Sequence, residues 1–345
     1  MKIGIQLRPE ITADEALAES KIADDQGFDS VWLFDHLMNW RYSIVPLTPE
    51  MKGETRRLTT EAEHSPDLPY DSFTLMTAIG AVTKNVRLGW ATLNLSFRGS
   101  PAVLCKMITT LDQVTHGRVI CCVGSGWYEE EAVAYNVPGV TGHAERMAYA
   151  REVIELWKEL WAHPAPEKVT YTGKYVQVKD LPFNPVPYRR EGPPIWWGGD
   201  SDASIETVKR YCDGWMQGSV GKPEKLKEVL NSPDWPKKPM TLTRGGRILV
   251  AETRQRALED AEKTYTEMRD NRSGTRSPNF APNFEAFVAG AIVGSPDDCL
   301  EQLEVFSGHG YNHIRVAFNN AKEQDNVARL LLPRLSELDA KVGVS

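Results

Sequence analysis

The chain has 345 residues, 40 of them basic and 47 acidic, for a net charge of −7, with 41% apolar and 25% charged side chains. That balance excludes a disordered chain, a collagen-like fibre and a coiled coil. Its negative surface disfavours nucleic acid and anionic membranes as general partners. A prior of roughly 150 residues per domain gives two domains, but α/β barrels routinely exceed it as one unit. The five cysteines, at 105, 121, 122, 212 and 299, form no Cys-x-x-Cys pair and no zinc-spaced cluster, and read as reduced core thiols. The opening MKIGIQLRPEI has no apolar h-region and no window approaches about 18 uninterrupted apolar residues, so a cytoplasmic protein without signal peptide or membrane span is expected.

Short β-rich runs alternate with longer helical patterns. Lys2–Leu7 opens the series, followed by a helix over Thr12–Gln26. Thr12 with Glu15 three residues on is a capping-box signature, and Gly27 is placed as a left-handed C-cap. The next strands are Ser30–Phe34, Val86–Leu95 and Arg118–Val123, with helices over Phe73–Val82 and Ala144–Trp161. Later strands are Pro194–Trp197, Gly214–Gln217, Arg247–Val250 and His313–Phe318, separated by helices over Ala203–Tyr211, Pro223–Leu230, Gln255–Met268 and Pro296–Phe306. Eight strands alternating with helices predict parallel pairing with right-handed crossovers, closed as an α/β (β/α)8 TIM barrel. An open doubly wound sheet is the alternative, and the first strand runs into Arg8-Pro9-Glu10 without the G-x-G-x-x-G such a sheet would favour.

The expectation is one domain over 1–345 with insertions after strands 2, 4 and 7, at about 41–70, 164–192 and 271–284. The middle one contains VTYTGKYVQV, two β-type runs around Thr172-Gly173-Lys174, and reads as a hairpin outside the barrel. The other two are long enough to be lids.

In a barrel the chemistry sits at the C-terminal strand ends. Those ends offer Asp35 and His36, Asn94 and Ser96, Gly124-Ser125-Gly126-Trp127, Gly198-Gly199-Asp200-Ser201, Arg315 and Asn319. No carboxylate cluster or His-x-His stands among them, so no metal is expected. Gly198-Gly199-Asp200-Ser201-Asp202-Ala203-Ser204 leads from a strand into a helix; its glycines and hydroxyls suit a phosphate, or Ser201 simply caps the helix. Asp35, His36 and Trp40 put an acid, an imidazole and an indole at one strand end, where they could stack on a planar ring and move a proton. The bland reading is a capping Asp and a satisfied His beneath a loop. Trp196-Trp197 and Trp157/Trp161 are expected to fill core space.

These motifs, in order, resemble the bacterial-luciferase-like superfamily of flavin-dependent oxidoreductases, which includes enzymes of the deazaflavin coenzyme F-420. The likeness runs through KIGIQL, GFDSVWLFDHL, NVRLGWATLNLSFRGSPAVLCKMITTLDQVTHGRV, GSGWYEEEAVAYNV, PPIWWGGDSDAS, CDGW and VGSPDDCLEQLEVFSGHGYNHIRV. It implies that Ala91, Thr92 and Asn94 support the flavin ring, and that Gly198, Gly199, Asp200, Ser201 and Ser204 hold the cofactor phosphate. It also implies that Asp35, His36 and Trp40 are catalytic, with His36 as base, as in deazaflavin-dependent sugar-phosphate dehydrogenases. Those dehydrogenases carry a Glu directly after the Gly-x-Gly of strand four, where this chain has Trp127. His143-Ala144-Glu145-Arg146-Met147 is similar to the His-x-Glu-Arg-Tyr of FMN monooxygenases, with Met147 in place of the phosphate-binding Tyr.

The resemblance puts first a two-component monooxygenase that uses reduced FMN and O2 on a small organic substrate. A separate flavin reductase would supply the flavin, and the chain would form a homo-oligomer, dimer or tetramer. The second reading is deazaflavin (coenzyme F-420) hydride transfer, which needs no oxygen. The third is a flavin-binding barrel without turnover.

Overall fold

The computed structural model describes residues 1–9, 11–38, 70–127, 129–137, 142–218, 223–270 and 281–342. Its strands in chain order are β1 (Lys2–Gln6), β2 (Ser30–Leu33), β3 (Arg87–Trp90), β4 (Leu93–Asn94), β5 (Val119–Gly124), β6 (Lys168–Thr172), β7 (Gln177–Pro182), β8 (Ile195–Gly198), β9 (Gly214–Met216), β10 (Thr241–Gly246), β11 (Ile248–Val250), β12 (Ile292–Gly294) and β13 (His313–Val316). The order β3-β2-β1-β13-β10-β9-β8-β5, closed by a β3–β5 pairing, makes a barrel of eight parallel strands with helices between them. This is the expected (β/α)8 barrel. No helix among the described residues is long and apolar enough to cross a membrane.

Alternation along each strand sorts the side chains into two cores. Ile3, Ile5, Val31, Leu88, Val119 and Ile314 belong to the large apolar layer between barrel and helices. Trp32, Ile120, Cys122, Trp196 and Met216 fill the barrel itself, with Ala91 against them. Two indoles inside a barrel need empty positions beside them. Gly89 supplies one, since a Cβ there would lie 2.5 Å from the Trp32 ring; Gly214 supplies the other, 2.6 Å from Trp196. Trp157 and Trp161 are buried in the outer core, as expected. All five cysteines are buried and unbridged.

The helix Ala13–Gln26 carries the expected capping box of Thr12 and Glu15, and ends at Gly27 with φ 83°. The hairpin β6–β7 is antiparallel and lies outside the barrel sheet. Two expectations need correction. Val86–Leu95 is not one strand: β3 and β4 are separated at Ala91–Thr92, whose peptide bond is cis. The seventh barrel strand is β10, not the run Arg247–Val250; β11 instead pairs with β12 in a separate two-stranded sheet. The reason is packing. Leu249 and Val293 cover an apolar cluster with Ala257, Ala261 and Phe287, whereas β10 needs only Thr243 where it faces the buried His313. Residues 39–69 and 271–280, which hold most of two expected insertions, lie outside the described residues.

Asp24, near the end of the first helix, accepts the backbone N–H groups of Lys84, Asn85 and Val86, each at 2.7 Å, and so fixes the entry to β3. Burial works against its charge, but these three bonds outweigh it and hold the carboxyl below its ordinary range. Asp24→Ala should therefore cost about 2–4 kcal/mol in urea unfolding at neutral pH. Because the folded carboxyl is the stronger acid, its contribution is present above the unfolded pKa of about 3.9 and fades as pH falls through the lower folded value. The gap between wild type and variant should narrow in acid; a gap constant down to the acid limit would contradict this.

Candidate active site at the C-terminal rim

Asp35 stands two residues past β2 and is 4% exposed. Its Oδ1 accepts Ser72 Oγ at 2.7 Å and Arg98 at 2.8 Å; its Oδ2 accepts Arg98 at 2.8 Å and the Asn94 backbone N–H at 2.8 Å. A carboxylate offers about four acceptor sites, so these donors fill them. Arg98 also reaches Asp71 at 2.7 Å. Burial opposes its charge, and Asp35 and then Asp71 overcome that and make the guanidinium hold its proton more tightly than usual. The pair ties the end of β2 to the start of the helix Ser72–Val82 and to β4, directly after the cis peptide.

His36 follows. Its Nδ1 lies 3.1 Å from Glu131 Oε2, which also accepts the Met38 backbone N–H at 3.2 Å. The Glu131 side chain is wholly buried, and its Oε1 has no hydrogen-bond partner among the described residues. The exposed Trp127 meets the imidazole edge-on, with ring centroids 5.7 Å apart. A carboxylate on Nδ1 fixes imidazole orientation and leaves proton exchange with a reactant to Nε2.

Across the mouth, Gly198 and Gly199 enter the helix Asp202–Tyr211. A Cβ at Gly198 would collide with the Thr92 methyl; one at Gly199 (φ 140°) would come within 2.8 Å of Ser204 Oγ and 3.6 Å of Trp197 Nε1. That indole N–H is buried without a partner among the described residues. Ser201 caps the helix, accepting the Ser204 N–H at 3.2 Å, and its hydroxyl meets Ser204 Oγ at 2.9 Å. The capping reading is thus observed, and it leaves room for the other. Lys225 donates to the Asp200 carbonyl at 3.0 Å and pairs with Asp202 at 3.3 Å, which stations an ammonium at the turn. A backbone cradle, a helix N-terminus, an orphaned N–H and a lysine are the donor set a phosphate needs.

The structure therefore brings Asp35, Asn94, Thr92, Gly198, Gly199 and Ser204 into one connected rim through side-chain and close backbone contacts. Asn94 Oδ1 accepts the Ser96 N–H, and Ala91 packs on the inner core. Trp40 lies outside the described residues. Arg98, Glu131 and Lys225 were not singled out from the sequence. Arg98 had a signal, since a strand-end Asp destined for burial needs a cation. Glu131 sits in the run Glu129–Glu131, which reads as a solvated helix start; only the folded chain separates the exposed Glu129 from the buried Glu131.

Asp35→Asn should leave Arg98 with only the half-exposed Asp71 as counter-ion and cost about 3–5 kcal/mol of unfolding free energy. A loss under about 1 kcal/mol, the value of a surface pair, would show that the pair does not carry the rim.

A family model described as luciferase-like monooxygenase matches residues 1–313. An F420-dependent glucose-6-phosphate dehydrogenase of Amycolatopsis mediterranei (strain U-32) is 31% identical over 91% of this chain and 91% of its own. A second such enzyme, of Microbacterium testaceum (strain StLB037), is 31% identical over 63% of this chain, a match spanning 56% of that relative. Among solved structures, a long-chain alkane monooxygenase superposes with TM-score 0.77 at 16% identity, over 98% of this chain and 91% of its own. An F420-dependent secondary alcohol dehydrogenase does so with TM-score 0.69 at 18% identity, over 96% and 98%. At those identities the structures speak for the fold alone. The family match and the full-length relative go further: the chain belongs to the luciferase-like family of flavin- and F420-dependent oxidoreductases.

Proposed function

We propose that this protein is a coenzyme F420-dependent dehydrogenase or reductase acting on a small alcohol or carbonyl substrate. The observation that carries the reading is the His36–Glu131 pair at the barrel mouth. Oxidising an alcohol to a carbonyl removes a hydride from carbon and a proton from oxygen. The deazaflavin, when bound, supplies the hydride acceptor or donor. The protein has to supply the proton path, and His36 Nε2 takes or returns that proton while Glu131 holds the ring through Nδ1. Asp35 positions rather than reacts, because its acceptor sites are filled. Gly198, Gly199, Ser201, Ser204 and Lys225 hold the cofactor phosphate, and Thr92 and Asn94 support the ring. This reading requires neither oxygen nor a flavin reductase.

Two observations favour it over FMN-dependent oxygenation. The most extensive curated match described above is to an F420-dependent enzyme, 31% identical over 91% of this chain. Met147, at the position of the phosphate-binding Tyr of FMN monooxygenases, is 2% exposed and packed in the outer core, so its side chain offers no contact to a phosphate. Glucose 6-phosphate is not carried over as substrate, since Trp127 stands where those dehydrogenases have Glu.

Fluorescence titration tests the cofactor: F420 should bind saturably and FMN far more weakly, and the reverse order would return the protein to the monooxygenases. His36→Asn should retain F420 affinity and lose turnover by roughly 10²–10⁴-fold, the range of a positioned acid–base group. A folded, F420-loaded variant with at least half of normal turnover would remove His36 from the chemistry.

A further inference from the structure

The barrel floor carries a charge that the mechanism does not use. Arg315 is the next-to-last residue of β13, and its register partners on both sides are glycines, Gly4 on β1 and Gly245 on β10. Its two register partners thus place no side chain beside its stem, and the space over Gly4 is taken by Ser30 and Trp32. Its guanidinium carbon lies 5.8 Å from the Trp32 ring centroid, and one terminal nitrogen donates to Gln6 Oε1 at 2.9 Å. Gln6 ends β1 and is itself fixed by donating to the Trp32 carbonyl at 3.1 Å. Arg315 and Gln6 are 8% and 7% exposed, and Arg315 Nε is buried without a hydrogen-bond partner among the described residues.

What is missing is a counter-ion. Among the described residues no carboxylate pairs with Arg315, in contrast to Arg98, which holds Asp35 and Asp71. The half-buried Arg118 also makes no ion pair among the described residues, but it spends its N–H groups on four carbonyls and a hydroxyl. The ionisable groups facing Arg315 are Cys122 and His313. Burial raises the Cys122 thiol far above its ordinary range and lowers the His313 imidazole, so neither brings a negative charge. Burial likewise pulls the Arg315 pKa down to about 10, which still leaves it charged at neutral pH. A buried guanidinium with an open Nε edge is built to take a planar, two-oxygen anion side-on.

We propose that Arg315 and Gln6 form the anion subsite of this protein, and that its substrate carries a single carboxylate seated on Arg315 against Trp32. The charge count selects the class. One cation buried beside Trp32 and the neutral Cys122 thiol balances a monoanion and leaves a phosphate dianion half-compensated. Together with the proposed hydride transfer this makes the substrate a small hydroxy acid or its oxo counterpart; that step rests on the F420 reading, whereas the carboxylate site does not.

The binding test therefore uses the cofactor-free protein, with benzoate as probe, benzamide as its neutral isostere and inorganic phosphate as competitor, read by intrinsic tryptophan fluorescence. Benzoate should quench saturably and bind at least about tenfold more tightly than benzamide, the ratio that a hydrogen bond to a charged group gives. Arg315→Gln should erase that preference without changing benzamide binding, and Arg315→Lys should retain part of it. Should Arg315→Gln not fold, the wild-type benzoate-to-benzamide ratio and the Lys variant decide. Equal binding of benzoate and benzamide, or a folded Gln variant that still prefers benzoate, overturns the site. Phosphate displacing benzoate at lower concentration overturns the carboxylate assignment. Failure of F420 to bind would sink the proposed reaction and leave these outcomes untouched.

Discussion

The rim of this barrel hangs on one buried ion pair. Asp35 and Arg98 face each other with two bonds of 2.8 Å, and the same carboxylate fixes the Asn94 backbone and Ser72. Three segments distant in sequence meet there. Without the pair, the end of β2, the segment after Ala91–Thr92 and the start of the helix Ser72–Val82 would share no polar contact of this strength. A buried pair seldom adds net stability over an apolar substitute, but removing one partner is costly because the other charge remains. Its value here is geometric. His36 is the next residue in the chain, and its own anchor, Glu131, comes from the short helix that follows β5, two strands away around the barrel.

The two carboxylates divide the work by environment. Asp35 is saturated by donors and serves as a fixed post. Glu131 is buried with one oxygen on His36 and Met38, and its other oxygen has no hydrogen-bond partner among the described residues. Facing them, the Gly198-Gly199 turn offers backbone, an orphaned indole N–H and Lys225 to an anion. Below, Trp32 and Trp196, their rings tilted 32° to one another, fill the barrel interior because Gly89 and Gly214 make room for them. In the proposed reading, the rim holds the cofactor, the dyad moves the proton and Arg315 grips the substrate from beneath.

Much of this architecture is legible in the residues. Strand–helix alternation and caps such as Thr12/Glu15 and Gly27 act locally, so they can be read without coordinates. The seventh barrel strand was missed because β10, TLTRGG, shows no apolar run: a strand facing interior indoles and a buried His needs threonine and glycine rather than valine and isoleucine. The neighbouring Ile248–Val250 has that run for a different reason, its own small core. Asp35, His36, Asn94 and the glycine turn stand out in the sequence because strand ends are where barrels do chemistry. Glu131 was hidden because its role depends on a contact across 95 positions of sequence separation, which no local pattern encodes; for Arg98, 63 positions from Asp35, the need of a buried Asp for a cation was the one signal. Trp40 remains an expectation from resemblance, outside the described residues.

The central claim is that this barrel transfers hydride with a deazaflavin rather than activating oxygen. Anaerobic single-turnover spectrophotometry of the F420-loaded protein with a panel of small alcohols and hydroxy acids tests it most directly. The account requires that at least one of them bleach the oxidised deazaflavin absorbance without oxygen, releasing the matching carbonyl compound in equal amount. No reduction under those conditions, combined with oxygen-dependent substrate conversion when reduced FMN is supplied instead, would contradict it.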